Sequence, residues 1–160
     1  MNASTLSLDA LLKNENTLMA GFVTFLLEEQ NALKVGDTAA VEALSKTKIG
    51  LIGELNVAGE KRNRFLSHNG LGPDKIGVEA WIALHPGDQA VQQQWGILKK
   101  TVGEAKELNL LNGQLIAMRM QHNQQALSAL LSTSVTTQNN LYGPDGQPTQ
   151  LSGRRIIDAA

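Results

Sequence analysis

The residues able to ligate a metal, carry a proton or act as a nucleophile are few and scattered along this chain. There are three histidines, His68, His85 and His122, and no cysteine. Thiolate ligands, disulfides and thiol catalysis are thereby excluded. No histidine stands at ligand spacing from another, and zinc needs three or four placed ligands, so no metal site is expected. His68 and His85 fall at expected helix ends, where a histidine satisfied at the surface is the simplest role. The glycine-bearing turns Gly70-Leu71-Gly72 and Gly143-Pro144-Asp145-Gly146 follow no expected strand and do not end in Lys-Ser or Lys-Thr, as a phosphate-cradling loop would. Neither a Gly-x-Ser-x-Gly elbow nor a His-Glu-x-x-His helix is present. Adjoining carboxylates such as Glu28 and Glu29 lie on a regular helical pattern and read as solvated charge, not as an acid/base pair. No catalytic residue and no cofactor is expected.

What remains is the scaffold. Leu12, Met19, Leu26 and Leu33 recur every seventh residue, with Leu8 and Phe22 on the neighbouring seam that Glu15 and Glu29 interrupt. This pattern predicts an amphipathic helix over about Ser4–Leu33. Gly36 then stops the helix and Asp37 caps the next. The second helix is expected over Thr38–His68, with Leu44, Leu51, Ala58 and Phe65 at intervals of seven and Val41 and Leu55 beside them. Lys48 and Arg62 share the seam of Val41 and Leu55. Their methylenes can lie along it while the charges stay wet. So short a connection makes the two helices an antiparallel hairpin.

Asn69-Gly70-Leu71-Gly72-Pro73 breaks the chain, and Val78, Trp81 and Ile82 predict a short helix over Asp74–Leu84. After His85-Pro86-Gly87, Asp88 caps a last long helix over about Gln89–Leu131. Its stripe of Val91, Trp95, Leu98, Val102 and Ala105 slips to Leu108, Leu111, Leu115 and Met118, and returns as Ala126, Leu127, Leu130 and Leu131. The slip reads as a heptad stutter or as a change of partner. At ~1.5 Å per residue this helix outruns the hairpin, so its C-terminal part is expected to overhang. The fold class is therefore all-α: an antiparallel bundle of three long helices with a short intervening helix. Residues 1–131 form the bundle. Residues 132–160, rich in Ser, Thr, Asn, Gln, Gly and Pro, form a flexible C-terminal tail.

Composition narrows the partners. Lys plus Arg is 14 against 15 Asp plus Glu, a net charge of −1, so phosphate neutralisation gives no basis for nucleic-acid binding. No segment approaches the ~20 apolar residues that span a bilayer, and the N-terminus lacks the pattern of a signal peptide. With no cysteine either, the expected compartment is the cytoplasm. The remaining signals concern recognition. Leu127, Leu130 and Leu131 make an apolar patch that either takes a partner helix or is covered by the hairpin or a second copy of the chain. In the tail, Leu141 and the single Tyr142 precede turn chemistry, and Arg154-Arg155-Ile156-Ile157 is a second small amphipathic spot.

The run Asn109-Leu110-Leu111-Asn112-Gly113-Gln114-Leu115-Ile116, then His122-Asn123-Gln124-Gln125-Ala126-Leu127, then Asn140-Leu141-Tyr142-Gly143-Pro144-Asp145-Gly146-Gln147, resembles the FlgN family of flagellar type III export chaperones. Lys48 and Arg62 are similar to basic residues of the family's second helix. The resemblance covers nearly the whole chain. It implies a cytosolic protein, not an enzyme, that binds hook-associated (hook–filament junction) proteins, prevents their premature association and delivers them to the export gate. The client is implied to bind the end of the long helix, with Leu115, Ile116, Met118, Leu127, Leu130 and Leu131 as candidates. Tyr142, with Leu141, Gly143, Asp145 and Gly146, is implied to dock on the cytoplasmic domain of the gate membrane protein. The export ATPase complex is a further candidate partner, and homo-oligomerisation stays open. So do a self-associating coiled-coil protein without a client and a helical enzyme with an unrecognised site.

Overall fold

The computed structural model describes residues 7–139, in which four helices follow one another. Helix α1 spans Leu8–Val35. It opens on Ser7, whose side chain accepts from the Ala10 N–H, and closes on Gly36 at φ 80°, whose N–H donates to the Ala32 carbonyl. Only glycine adopts that left-handed backbone without steric cost. Helix α2 spans Thr38–His68 and is capped by Asp37, which accepts from the Ala40 N–H at 3.0 Å. Helix α3 spans Asp74–Leu84 and helix α4 spans Gln89–Asn139. Asp88 serves both of the latter: its carboxylate caps α4 at the Val91 N–H and accepts from the Trp81 indole N–H of α3. The expected punctuation is therefore observed, as are the expected starts of α2, α3 and α4. Helix α4, however, runs past Leu131 to Asn139, so the change of composition at Ser132 falls inside a helix.

The chain divides into two compact units between Ile116 and Ala117. In the first, α1, α2 and α4 run up, down and up. Glu15 and Glu29 of α1 meet Arg62 and Lys48 of α2, which fixes that pair as antiparallel. Asn16 meets Gln94, and Leu26 meets Asn112, which makes α4 parallel to α1. Leu8, Leu12, Leu66, Val78, Val91, Trp95 and Leu98 form the core at the α3 end. Phe25, Leu26 and Ala105 form a second core nearer the hairpin, and Met19 packs against both. Each Leu, Val or Phe side chain buried there contributes ~1.5–3 kcal/mol. Helix α3 is held unusually close: a Cβ on Gly77 would lie 1.7 Å from the Gly72 carbonyl oxygen and 2.9 Å from Leu66.

Two polar layers cross this apolar bundle. Arg62 donates to both Glu15 oxygens at 2.6 Å and to Asp74 at 3.0 Å. Lys48 donates to both Glu29 oxygens, and the Asn112 amide donates to Glu29 and to the Leu26 carbonyl. Expectation and structure part here. Arg62 is buried, at 7% exposure, and so are Glu15 and Glu29. These charges are not wet, because the seam positions that α1 gives to acids face those that α2 gives to bases. Glu29 is fourteen residues after Glu15, and Lys48 is fourteen before Arg62. In an antiparallel pair both layers fall into register together, and each buried charge finds its opposite. Burial lifts the Glu15 carboxyl above the ordinary glutamate range, Arg62 opposes that shift, and Asp74 adds to it. Asp74 itself sits at φ 55°. A reciprocal pair of hydrogen bonds with Asn63 holds that uncommon backbone in place.

In the second unit, residues 117–139 are helical and residues 117–133 are all exposed.

Candidate interaction site

The distal part of α4 reads Ala117-Met118-Arg119-Met120-Gln121-His122-Asn123-Gln124-Gln125-Ala126-Leu127-Ser128-Ala129-Leu130-Leu131. Ala, Leu, Met, Gln and Arg are strong helix formers, and neither Gly nor Pro interrupts them, so the segment holds helix without a packed face. Met120, Leu127 and Leu131 stand at i, i+7 and i+11, with Leu130 beside them, and share one side of the helix. Their exposures are 59%, 59%, 61% and 70%. Of residues 117–139, Arg119 alone carries a formal charge. The result is an apolar stripe flanked by neutral amides and hydroxyls, a surface that recognises by shape and apolar contact.

The sequence-derived client residues do not all meet. Met118 is nine residues before Leu127 and therefore half a turn out of phase at 3.6 residues per turn, on the opposite side of the helix. Leu115 and Ile116 belong to the first unit, where Leu115 is half-buried and Ile116 is 39% exposed. Leu127, Leu130 and Leu131 do come together as expected. Met120 was missed because the three polar residues at 121–123 hide the spacing that joins it to Leu127. The residues expected to dock at a gate, Leu141, Tyr142, Gly143, Asp145 and Gly146, lie outside the described residues.

Two of the three histidines are engaged structurally at helix ends, and His122 lies exposed on the distal part of α4. The ring Nδ1 of His68 meets the Arg64 carbonyl at 2.6 Å and that of His85 meets the Trp81 carbonyl at 3.0 Å, both at helix C-termini. His85 also stacks on Trp81 at 4.1 Å. Among the described residues no three His, Asp or Glu side chains gather as a metal site. Glu28 stays exposed, as expected of solvated charge, whereas its neighbour Glu29 is buried in the second polar layer. Among the same residues, no helix is long and apolar enough to cross a membrane.

The family model described as FlgN protein matches residues 1–150. No curated protein and no solved structure matches the chain. The family match spans the bundle and the exposed distal helix together, and the chain belongs to the FlgN family of flagellar export chaperones, which is not a known enzyme family.

Proposed function

With membership of the FlgN family as the premise, we propose that this chain binds hook-associated junction proteins in the cytoplasm, shields them from premature association and delivers them to the flagellar export gate. The supporting observation is the exposed stripe of Met120, Leu127, Leu130 and Leu131 on the stretch 117–139 of α4, which carries one formal charge. Apolar side chains displayed along a regular helix suit a client's amphipathic helix, with anchors at i, i+7 and i+10 or i+11. The near absence of charge makes the contact tolerant of salt, since it owes little to screened electrostatics.

In this reading delivery is a separate contact. Leu141-Tyr142-Gly143-Pro144-Asp145-Gly146 docks on the cytoplasmic domain of the gate membrane protein, and the export ATPase complex is a further partner. Titration calorimetry with purified junction proteins tests the client role. The Leu127→Ser, Leu130→Ser, Leu131→Ser triple variant is expected to lose binding while helicity stays intact; unchanged affinity would overturn the assignment of this face. Tyr142→Ala is expected to keep client binding and to weaken binding to the gate domain roughly thirtyfold, the loss of one aromatic anchor at ~1.4 kcal/mol per factor of ten. Equal affinity of wild type and variant would return Tyr142 to a residue without a docking role.

A further inference from the structure

Within the first unit, α1 and α2 enclose a single depression of about 390 Å³. Leu11 lines it from α1, and Lys61, Arg64, Phe65 and His68 line it from α2. The α2 residues stand at i, i+3, i+4 and i+7, so they share one side of the helix over two turns. The apolar part of the lining is held in place. Leu11 is buried, and Phe65 packs on the core with its ring against Trp81, centroids 5.3 Å apart. The rest of the lining is basic and uncommitted. Six of the described lysines and arginines meet a carboxylate, and Lys99 lies over the Trp95 ring. Lys61 and Arg64, both exposed, do neither among the described residues. His68 follows them with Nδ1 on the Arg64 carbonyl at 2.6 Å.

An apolar hollow edged by bases without partners asks for an occupant that is apolar at its centre and anionic around it. The volume lies at the lower end of the roughly 300–1,000 Å³ usual for ligand clefts, which suits one anchoring side chain and not a whole helix face. We propose that this depression binds an acidic segment of a partner protein. A large apolar side chain of that segment enters against Leu11 and Phe65, and carboxylates on either side of it meet Lys61 and Arg64. The charges around the hollow select a short segment over a broad anionic surface. Glu54, seven residues before Lys61 on the same side of α2, is exposed, and so is Glu60 beside Lys61. They confine the positive potential to the last two turns of the helix. A short peptide fits within that span, whereas a membrane or a nucleic acid would carry its own negative charge over both glutamates. The contact is ionic at its edges and therefore weakens with salt, unlike the distal stripe of α4, on which it does not depend.

Fluorescence anisotropy with the full chain tests this, using a short labelled peptide in which a Leu-Phe pair is flanked by glutamates. Saturable binding is expected. Lys61→Glu together with Arg64→Glu should weaken it roughly tenfold or more, because two attractions become repulsions at exposed sites. An unchanged urea midpoint would show that the charge-reversed chain keeps its fold. A peptide with lysine in place of glutamate should reverse the preference, binding the charge-reversed chain and not the wild type. The Leu127→Ser, Leu130→Ser, Leu131→Ser variant should bind the acidic peptide as wild type does, which separates this site from the client face. Three outcomes would overturn the proposal: no saturable binding, equal affinity of wild type and the charge-reversed chain, or equal affinity for a peptide with glutamine in place of glutamate. Cosedimentation with phosphatidylserine vesicles that is lost on charge reversal, without any peptide binding, would overturn it as well and assign the depression to a lipid surface.

Discussion

Helix α4 uses the same residue types in two opposite ways. Between Gln89 and Ile116 its Val91, Trp95, Leu98 and Ala105 are buried at 8% exposure or less, and Asn112 is fully buried. Between Ala117 and Leu131, Met118, Met120, Leu127, Leu130 and Leu131 are each 59–70% exposed. The charges differ as well. Lys99, Lys100, Glu104, Lys106 and Glu107 mark the outer sides of the first stretch, whereas residues 117–139 carry Arg119 alone. A 3-4 apolar spacing thus says that a helix has a face to cover, not that its own fold covers it. The proximal stretch is committed to the bundle and should be intolerant of change. The distal stretch should be indifferent to change until a partner is present.

The largest effect should come from the buried ion pair. Arg62→Ala leaves Glu15 charged and enclosed, and is expected to cost ~3–5 kcal/mol of unfolding free energy by urea titration. Replacing both Glu15 and Arg62 with Leu should recover most of that, because two apolar side chains need no mutual compensation. Gly77→Ala comes next, at about 2–3 kcal/mol. The added methyl collides with backbone at Gly72, which cannot swing aside as a side chain end would. Lys48→Ala should cost less than either, ~1–2 kcal/mol, since Lys48 is 20% exposed and Glu29 keeps its bond from Asn112. If Lys48→Ala cost as much as Arg62→Ala, the two polar layers would be equivalent and the closed one would lose its special standing.

A pH titration sharpens the same contrast. Burial raises the folded-state pKa of Glu15 above the ordinary glutamate value of 4.5, against the pull of Arg62 and with a smaller push from Asp74. A group with a higher folded than unfolded pKa takes up its proton earlier in the native state. Its contribution therefore favours folding at low pH and fades as pH rises through the folded value. Wild type should gain stability relative to Glu15→Gln as pH falls from neutrality to about 4.5. A gap that narrows over that window would show that Arg62 dominates and depresses the Glu15 pKa instead.

Much of this was legible in the sequence, for a physical reason. Gly36, Asp37 and Asp88 act on their own neighbouring backbone, so the helix boundaries they set need no tertiary information. The heptad seams likewise revealed which faces of α1 and α2 meet. The buried charges were harder, because each interrupts an apolar seam and finds its opposite only when the two helices are laid antiparallel. Only then does the fourteen-residue spacing of Glu15 and Glu29 match that of Lys48 and Arg62. Asn112 gave no signal, since an amide on a slipping stripe looks the same whether it faces solvent or Glu29. The distal face was half legible. Leu127, Leu130 and Leu131 stand close together, but Met118 was grouped with them by proximity in sequence although the helix turns it away.

The smallest expected effect lies in that distal face, and it is the one that decides the comparison. The Leu127→Ser, Leu130→Ser, Leu131→Ser variant removes side chains that are already mostly in water, so little transfer free energy is lost with them. Serine is a weaker helix former than leucine by a few tenths of a kcal/mol per residue. That penalty falls on a segment that can loosen locally without opening the bundle. Denaturant unfolding followed by Trp81 and Trp95, both within the first unit, should keep its midpoint to within ~0.5 kcal/mol of wild type. A fall of more than ~1 kcal/mol would mean that the stripe is covered in the free protein. If that fall also depended on protein concentration, the cover would be a second copy of the chain, because association with the native state adds stability by mass action. Unchanged stability with lost client binding is the combination that separates a surface kept for a partner from one kept for the fold.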